Sequence, residues 1–518
     1  MSPVVAEWTP ADACHLQLAL RLTNEAFAER LGSAPRTIAK WHANPGMRLT
    51  LEMQQALDTM LGRAHVDEQQ RFETLRGAQR PTGSRPRSLW ALEIDEATHL
   101  ASALDWLDGI RGVAPGTSAT DVEMRLSGSG EREVRSAARA RGQVNRRDVA
   151  RAVNEFYRDT MPAGFGVITL GQEGARTVTS MLSNDDWANA DLDLRGHGKD
   201  AFALRHADRV SVELTPELVA AGIERLAEAL VHRTRFVDAP VYRLLETATA
   251  GAAVGATFGL EGFGTYALTW DLLEAELIDY VLGSRVDLPL RRELLPTVAS
   301  VLATEERICV GGAQALCAFA RPATRDRPSD YVLLVQARSP RVLNATGRLA
   351  AIPKCFHQPI NDYTGEVSIA ASLLRELEEE LFGRDDVDGS VMLRPAADPM
   401  HASRLTAPMR WLGDSTDWQL LETGYGFNLV SGNYEFSSLL VVDDEEFWAR
   451  YGGTIEGNWE ASALRRYSSM DTQGLVTLFA DPMWSDEGLV TVALGLTRLA
   501  ELDANRTALP PLEIGVIS

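Results

Sequence analysis

The stretch SLLRELEEELFG (372–383) sets Glu376, Glu379 and Glu380 at i, i+3 and i+4, so three carboxylates share one face of a helix. Leu373, Leu374, Leu377 and Leu381 occupy another face, which makes the helix amphipathic and buries its leucine side. Three like charges in one place cost stability unless something positive lies between them. A hard divalent cation with oxygen ligands, Mg2+ for example, answers that need, and Arg375 can reach Glu379 one turn on. The same residues also read as a solvated acidic face that holds no metal.

The order Arg375, Glu376, Leu377, Glu378, Glu379, Glu380 resembles the R-E-hydrophobic-x-E-E core of the Nudix box. YVLLVQARS (331–339) is similar to the strand before that box, GRLAAIPKCFHQP (347–359) to its Gly/Pro-rich approach, and YEFSSLLVVDDEEFW (434–448) to a later strand. The resemblance implies Glu376, Glu379 and Glu380 as metal ligands and Arg375 as their orienter. It also implies a pocket for a nucleotide-type small molecule that includes Lys354 and His357. The flanks depart from the pattern: Val367 stands where the family has a glutamate, Asn361 and Phe382 where it has glycines, and Pro353-Lys354-Cys355 replaces the Pro-Gly-Gly turn. Any hydrolysis is therefore expected to be weak, and a ligand-sensing role leads the enzyme reading.

Near the other end, TNEAFAERLGSAPRTIAKWHANP (23–45) offers Thr23 and Ser33 as N-caps for two short helices beginning at 24 and 34. Ala28 is small enough for a helix crossing, and Gly32 suits a tight turn that needs positive φ. Phe27, Leu31, Ile38 and Trp41 then face inward. This order resembles the helix-turn-helix of lambda-repressor-like (XRE) regulators of actinobacterial type. The resemblance makes the second helix the recognition helix, with Arg36, Thr37, Lys40 and His42 toward double-stranded DNA. An ordinary helical hairpin with surface Arg and Lys is the plainer alternative.

Charge supports the placement of DNA contacts at this end. The 518 residues carry a net charge of −21, which argues against nucleic-acid binding over the whole surface. Residues 1–90, however, hold eleven Arg/Lys against nine Asp/Glu. A further arginine-rich run, 132–159, reads either as a phosphate contact or as a helix face paired with the acidic body. No apolar run approaches the roughly 18 residues of a membrane span, and no secretory signal is expected at the N-terminus. Cys14, Cys309, Cys317 and Cys355 are scattered without metal spacing, as suits free thiols in a reducing cytoplasm. GxSxG, HExxH and Walker motifs are absent.

The expected fold class is multidomain. An all-α helix-turn-helix domain (1–76) precedes a linker (77–89), a mixed α/β middle region (90–290) and an α/β Nudix-like domain (291–518). The expected function is a cytoplasmic, homodimeric transcription regulator that senses a nucleotide-type ligand, with no membrane partner. The alternative is an active metal-dependent Nudix phosphohydrolase with an accessory DNA-binding domain.

Overall fold

The computed structural model describes residues 5–518 except 6–7, 21, 44–46, 48, 66–67, 70, 73–88, 173, 197–200, 235, 237, 340–346, 384–399 and 459–460. The expected linker, apart from residue 89, lies outside the described residues. The chain divides into two compact units, Met1–Arg87 and Ser88–Ser518.

In the first unit the described elements include α1 (Pro10–Ala19), α2 (Asn24–Leu31), α3 (Pro35–Ala43) and α4 (Leu51–Arg63). Local chemistry sets their starts. Thr9 and Asp12 form a capping box on α1, and the Thr23 and Thr50 hydroxyls accept the N–H groups of Ala26 and Met53. Gly32 ends α2 at φ 65°, a left-handed conformation that glycine adopts without steric cost. The next helix begins at Pro35, one residue later than expected. Proline fills its first position, and the Ser33 hydroxyl makes no hydrogen bond among the described residues, so Ser33 is not the cap. Phe27, Ala28, Leu31, Ile38 and Trp41 are buried together with Trp8, Leu16, Leu57 and Phe72.

The second unit is built on an 11-stranded sheet whose path runs β13-β8-β7-β12-β11-β2-β1-β14. Its strands are β1 (Gly166–Gln172), β2 (Ala175–Ser183), β3 (Leu192–Asp193), β7 (Gly311–Arg321), β8 (Asp330–Arg338), β9 (Leu349–Ala351), β10 (Lys354–Phe356), β11 (Trp418–Asn428), β12 (Asn433–Val442), β13 (Ala461–Ser468) and β14 (Leu512–Ile517). A smaller sheet orders β4 (Phe202–Leu204), β6 (Ala253–Gly262) and β5 (Pro240–Ala250) as β4-β6-β5. Four helices bear on the site: α5 (Arg146–Tyr157), α6 (Leu272–Val281), α7 (Ile369–Glu380) and α8 (Asp486–Leu502).

Strands β7 and β12 run parallel at the centre and are buried along almost their whole length. That is why they read as near-continuous apolar runs rather than as alternating ones. Side chains still alternate between faces. Leu316 and Leu439 pack with Val492 and Leu496 of α8, while Cys317 and Leu440 belong to the cluster that holds Leu373 and Leu377 of α7.

The expected fold class is corrected by this sheet. Strands from the expected middle region, β1 to β3, pair with β11 and β14 of the expected C-terminal domain. Residues 88–518 are thus one mixed α/β body and not a middle region followed by a separate Nudix-like domain. The described helices of the first unit do not by themselves establish an all-α helix-turn-helix class, and the chain as a whole is mixed α/β. No described helix is long and apolar enough to cross a membrane. All four cysteines are free thiols.

Candidate functional site

On α3, burying Ile38 and Trp41 turns Arg36 and Lys40 to solvent and leaves Thr37 half-buried beside them. His42 is exposed too, but its Nε2 lies 2.9 Å from Gln17 Oε1. Gln17 in turn donates to Leu22 O and Asn24 Oδ1, at 3.1 and 2.8 Å, so one amide ties α1, α2 and α3 together. The outward face of α3 therefore offers Arg36, Thr37 and Lys40, while His42 also serves the packing of the unit.

The acidic helix α7 is not a solvated face. Arg375, Glu376, Glu378, Glu379 and Glu380 are all buried. Arg375 donates from Nη1 to Gln358 O at 3.1 Å and from Nη2 to the adjacent Glu376 at 3.3 Å. Burial works against its charge, but Glu376, Cys355 and Glu379 outweigh it and push the guanidinium further up. Glu378 accepts from the N–H and the hydroxyl of Thr406, both at 2.6 Å. Glu380 accepts the backbone N–H of Lys354 at 2.9 Å. Among the described residues no group of three or more His, Cys, Asp or Glu side chains converges as a metal ion would require. Among the described residues, Glu376, Glu379 and Glu380 do not converge as a Mg2+ cage requires.

His357 lies in the core rather than in an open pocket. Its ring is fully buried, 4.3 Å from the Tyr242 ring and 4.7 Å from that of Phe258, with Nδ1 3.1 Å from the Tyr434 hydroxyl. Burial among aromatics holds it neutral, with its pKa pulled down to about 3. Within the arginine-rich run, Arg141 bridges Glu228 and Asp279 and buried Arg146 pairs with Asp486 at 2.8 Å, whereas Arg132, Arg139 and Arg147 are exposed.

Lys354 is the sequence candidate that lands in a chemically unusual place. Its register partner on β7 is Gln314, and that residue's partner on β12 is Ser437. All three side chains therefore share one face, the face where the Ser437 hydroxyl meets Thr491 of α8 at 2.7 Å. From there Lys354 Nζ reaches Glu487 Oε1, in the first turn of α8, at 2.5 Å. The other Glu487 oxygen accepts from Asn428 at 3.2 Å. Burial tends to raise Glu487, but the Lys354 ammonium prevails and holds its carboxyl below the usual range.

Two further carboxyls feel that pair. Glu435 is pushed up to about 8 by burial and by the charges of Glu487 and Glu274, against Lys354 and Arg338. Glu274 on α6 is pushed up to about 7 by burial, Asp271 and Glu487, against Arg225 and Lys354. Beside them Gln314, with no accessible surface, has neither amide atom hydrogen-bonded within the described residues. A buried lysine–carboxylate pair flanked by two raised carboxyls is the kind of perturbed cluster that gathers at functional sites. Glu274, Gln314, Glu435 and Glu487 were not singled out in the sequence. Glu435 carried a signal, as a lone charge inside the apolar strand NYEFSSLLVV.

Neither a family model nor a curated protein matches the chain.

Proposed function

We propose that the protein is a cytoplasmic transcription regulator that binds double-stranded DNA through α3. In this reading a nucleotide-type ligand is sensed at the Lys354 cluster of the second unit, and two copies act together on paired half-sites. The observation that carries the reading is the face of α3. Arg36, Thr37 and Lys40 stand together on a helix whose opposite side is pinned by Ile38 and Trp41. Arginine suits a bidentate contact to guanine O6 and N7, and lysine a base edge or a phosphate. The remaining chain is strongly acidic, which keeps DNA away from other surfaces.

Salt dependence is the expected signature. The affinity of the intact protein for duplex DNA falls linearly on a log–log plot against salt, and Lys40→Ala lowers the slope by about 1. Absence of DNA binding even at low salt would end this reading. The ligand half makes a separate demand: coupling is reciprocal, so a ligand that alters DNA affinity has its own affinity altered by DNA by the same factor.

A further inference from the structure

A cavity of about 470 Å3 opens where the segment 205–211 passes over the smaller sheet. Its inner end is Arg243 of β5, and Arg205, Arg209, Glu305 and Glu306 stand around it. The segment is tied down at its start and at its middle. Arg205 N donates to Phe258 O of β6 at 2.7 Å, and the Asp208 carbonyl accepts from Arg243 Nη2 at 3.1 Å. Opposite, the turn Thr304–Glu306 is fixed on β5 by the Thr304 hydroxyl, 2.7 Å from Leu245 O.

Arg243 is only 2% exposed, yet its donors are poorly met. Nε and Nη1 make no hydrogen bond among the described residues, and the nearby Glu261 carboxylate stays 3.8 Å from Nη1, beyond hydrogen-bond range. A buried guanidinium normally satisfies its fork against a carboxylate or phosphate. Arg209 is exposed and makes no ion pair among the described residues, whereas Arg205 is held by Glu305 at 3.0 Å. The cavity thus offers Arg243, whose fork is only partly met, and exposed Arg209, together with a wall of carboxylates.

We infer that this cavity binds a small zwitterionic metabolite, with a carboxylate or phosphate head on Arg243 and Arg209 and an ammonium tail toward Glu305 and Glu306. A polyanion is disfavoured by the acidic wall, and a simple cation by the arginines. A volume of 470 Å3 suits a small-molecule guest. The inference does not rest on the DNA reading, and DNA does not enter its test.

Phosphoethanolamine and β-alanine share an ammonium tail and differ in the head, while ethanolamine has the tail alone. Calorimetric titration of the intact protein with each, at fixed salt, should show binding of at least one zwitterion and none of ethanolamine. Arg209→Ala, an exposed position that leaves the fold intact, should weaken that binding by about tenfold or more, and Arg243→Lys should do the same. Preference between the two zwitterions identifies the head. The inference is overturned if neither zwitterion binds, if ethanolamine binds equally well, or if Arg209→Ala leaves the affinity unchanged.

Discussion

Lys354→Met is expected to destabilise residues 88–518 by about 3–5 kcal/mol, the usual cost of removing one partner of a buried ion pair. The side chains of Lys354 and Glu487 are 13% and 8% exposed and 2.5 Å apart. Removing the ammonium strands the Glu487 carboxylate at the sheet, with Glu435 and Glu274 close enough to feel its charge. A denaturant titration should show a lower midpoint with little change in slope. The double variant Lys354→Met, Glu487→Leu should recover much of the loss, because an apolar pair leaves no buried charge unpaired. If Lys354→Met alone unfolds at the wild-type midpoint, the pair is solvated and does not organise the cluster.

The second large effect is on stability against pH. Glu274 and Glu435 rise from an ordinary 4.5 to about 7 and about 8 on folding, so the folded state keeps protons that the unfolded chain has released. A carboxyl raised in this way favours the folded state at low pH, and stability declines as pH climbs through the interval between the two values. His357 acts in the opposite sense. Its pKa falls from 6.5 to about 3, so it adds stability as pH rises across that range and contributes no slope above it. The decline is therefore undiluted from pH 6.5 to about 8, at up to about 1.4 kcal/mol per pH unit for each proton. Unfolding midpoints across that interval should fall, and Glu435→Gln should flatten the fall. A rising or level profile in the wild type would contradict the assignment of both carboxyls.

What the sequence revealed divides by range of interaction. The α2–α3 pair was legible because its determinants are local: a threonine cap, a glycine turn, and four apolar residues at helical spacing. The helix α7 was legible for the same reason, and its environment was not. Its carboxylates meet Lys354 N and Thr406, neither of which belongs to the helical pattern. The union of the middle and C-terminal regions was hidden because it rests on pairings such as Val167 with Ile517 and Phe427 with Leu182, which no local pattern encodes. Burial of His357 depended likewise on Tyr242 and Phe258 from the smaller sheet. The arginine cavity escaped notice because Arg243 sits in a strand where its unmet donors, and not its sequence neighbours, mark it.

The central claim is that the exposed face of α3 reads DNA sequence. It is tested most directly by selecting preferred sites from a random duplex pool with the intact protein and with Arg36→Ala. The wild type should show a defined preference, and Arg36→Ala a relaxed preference at one base position, at a cost of about 1–3 kcal/mol. The same preference from both proteins would contradict it.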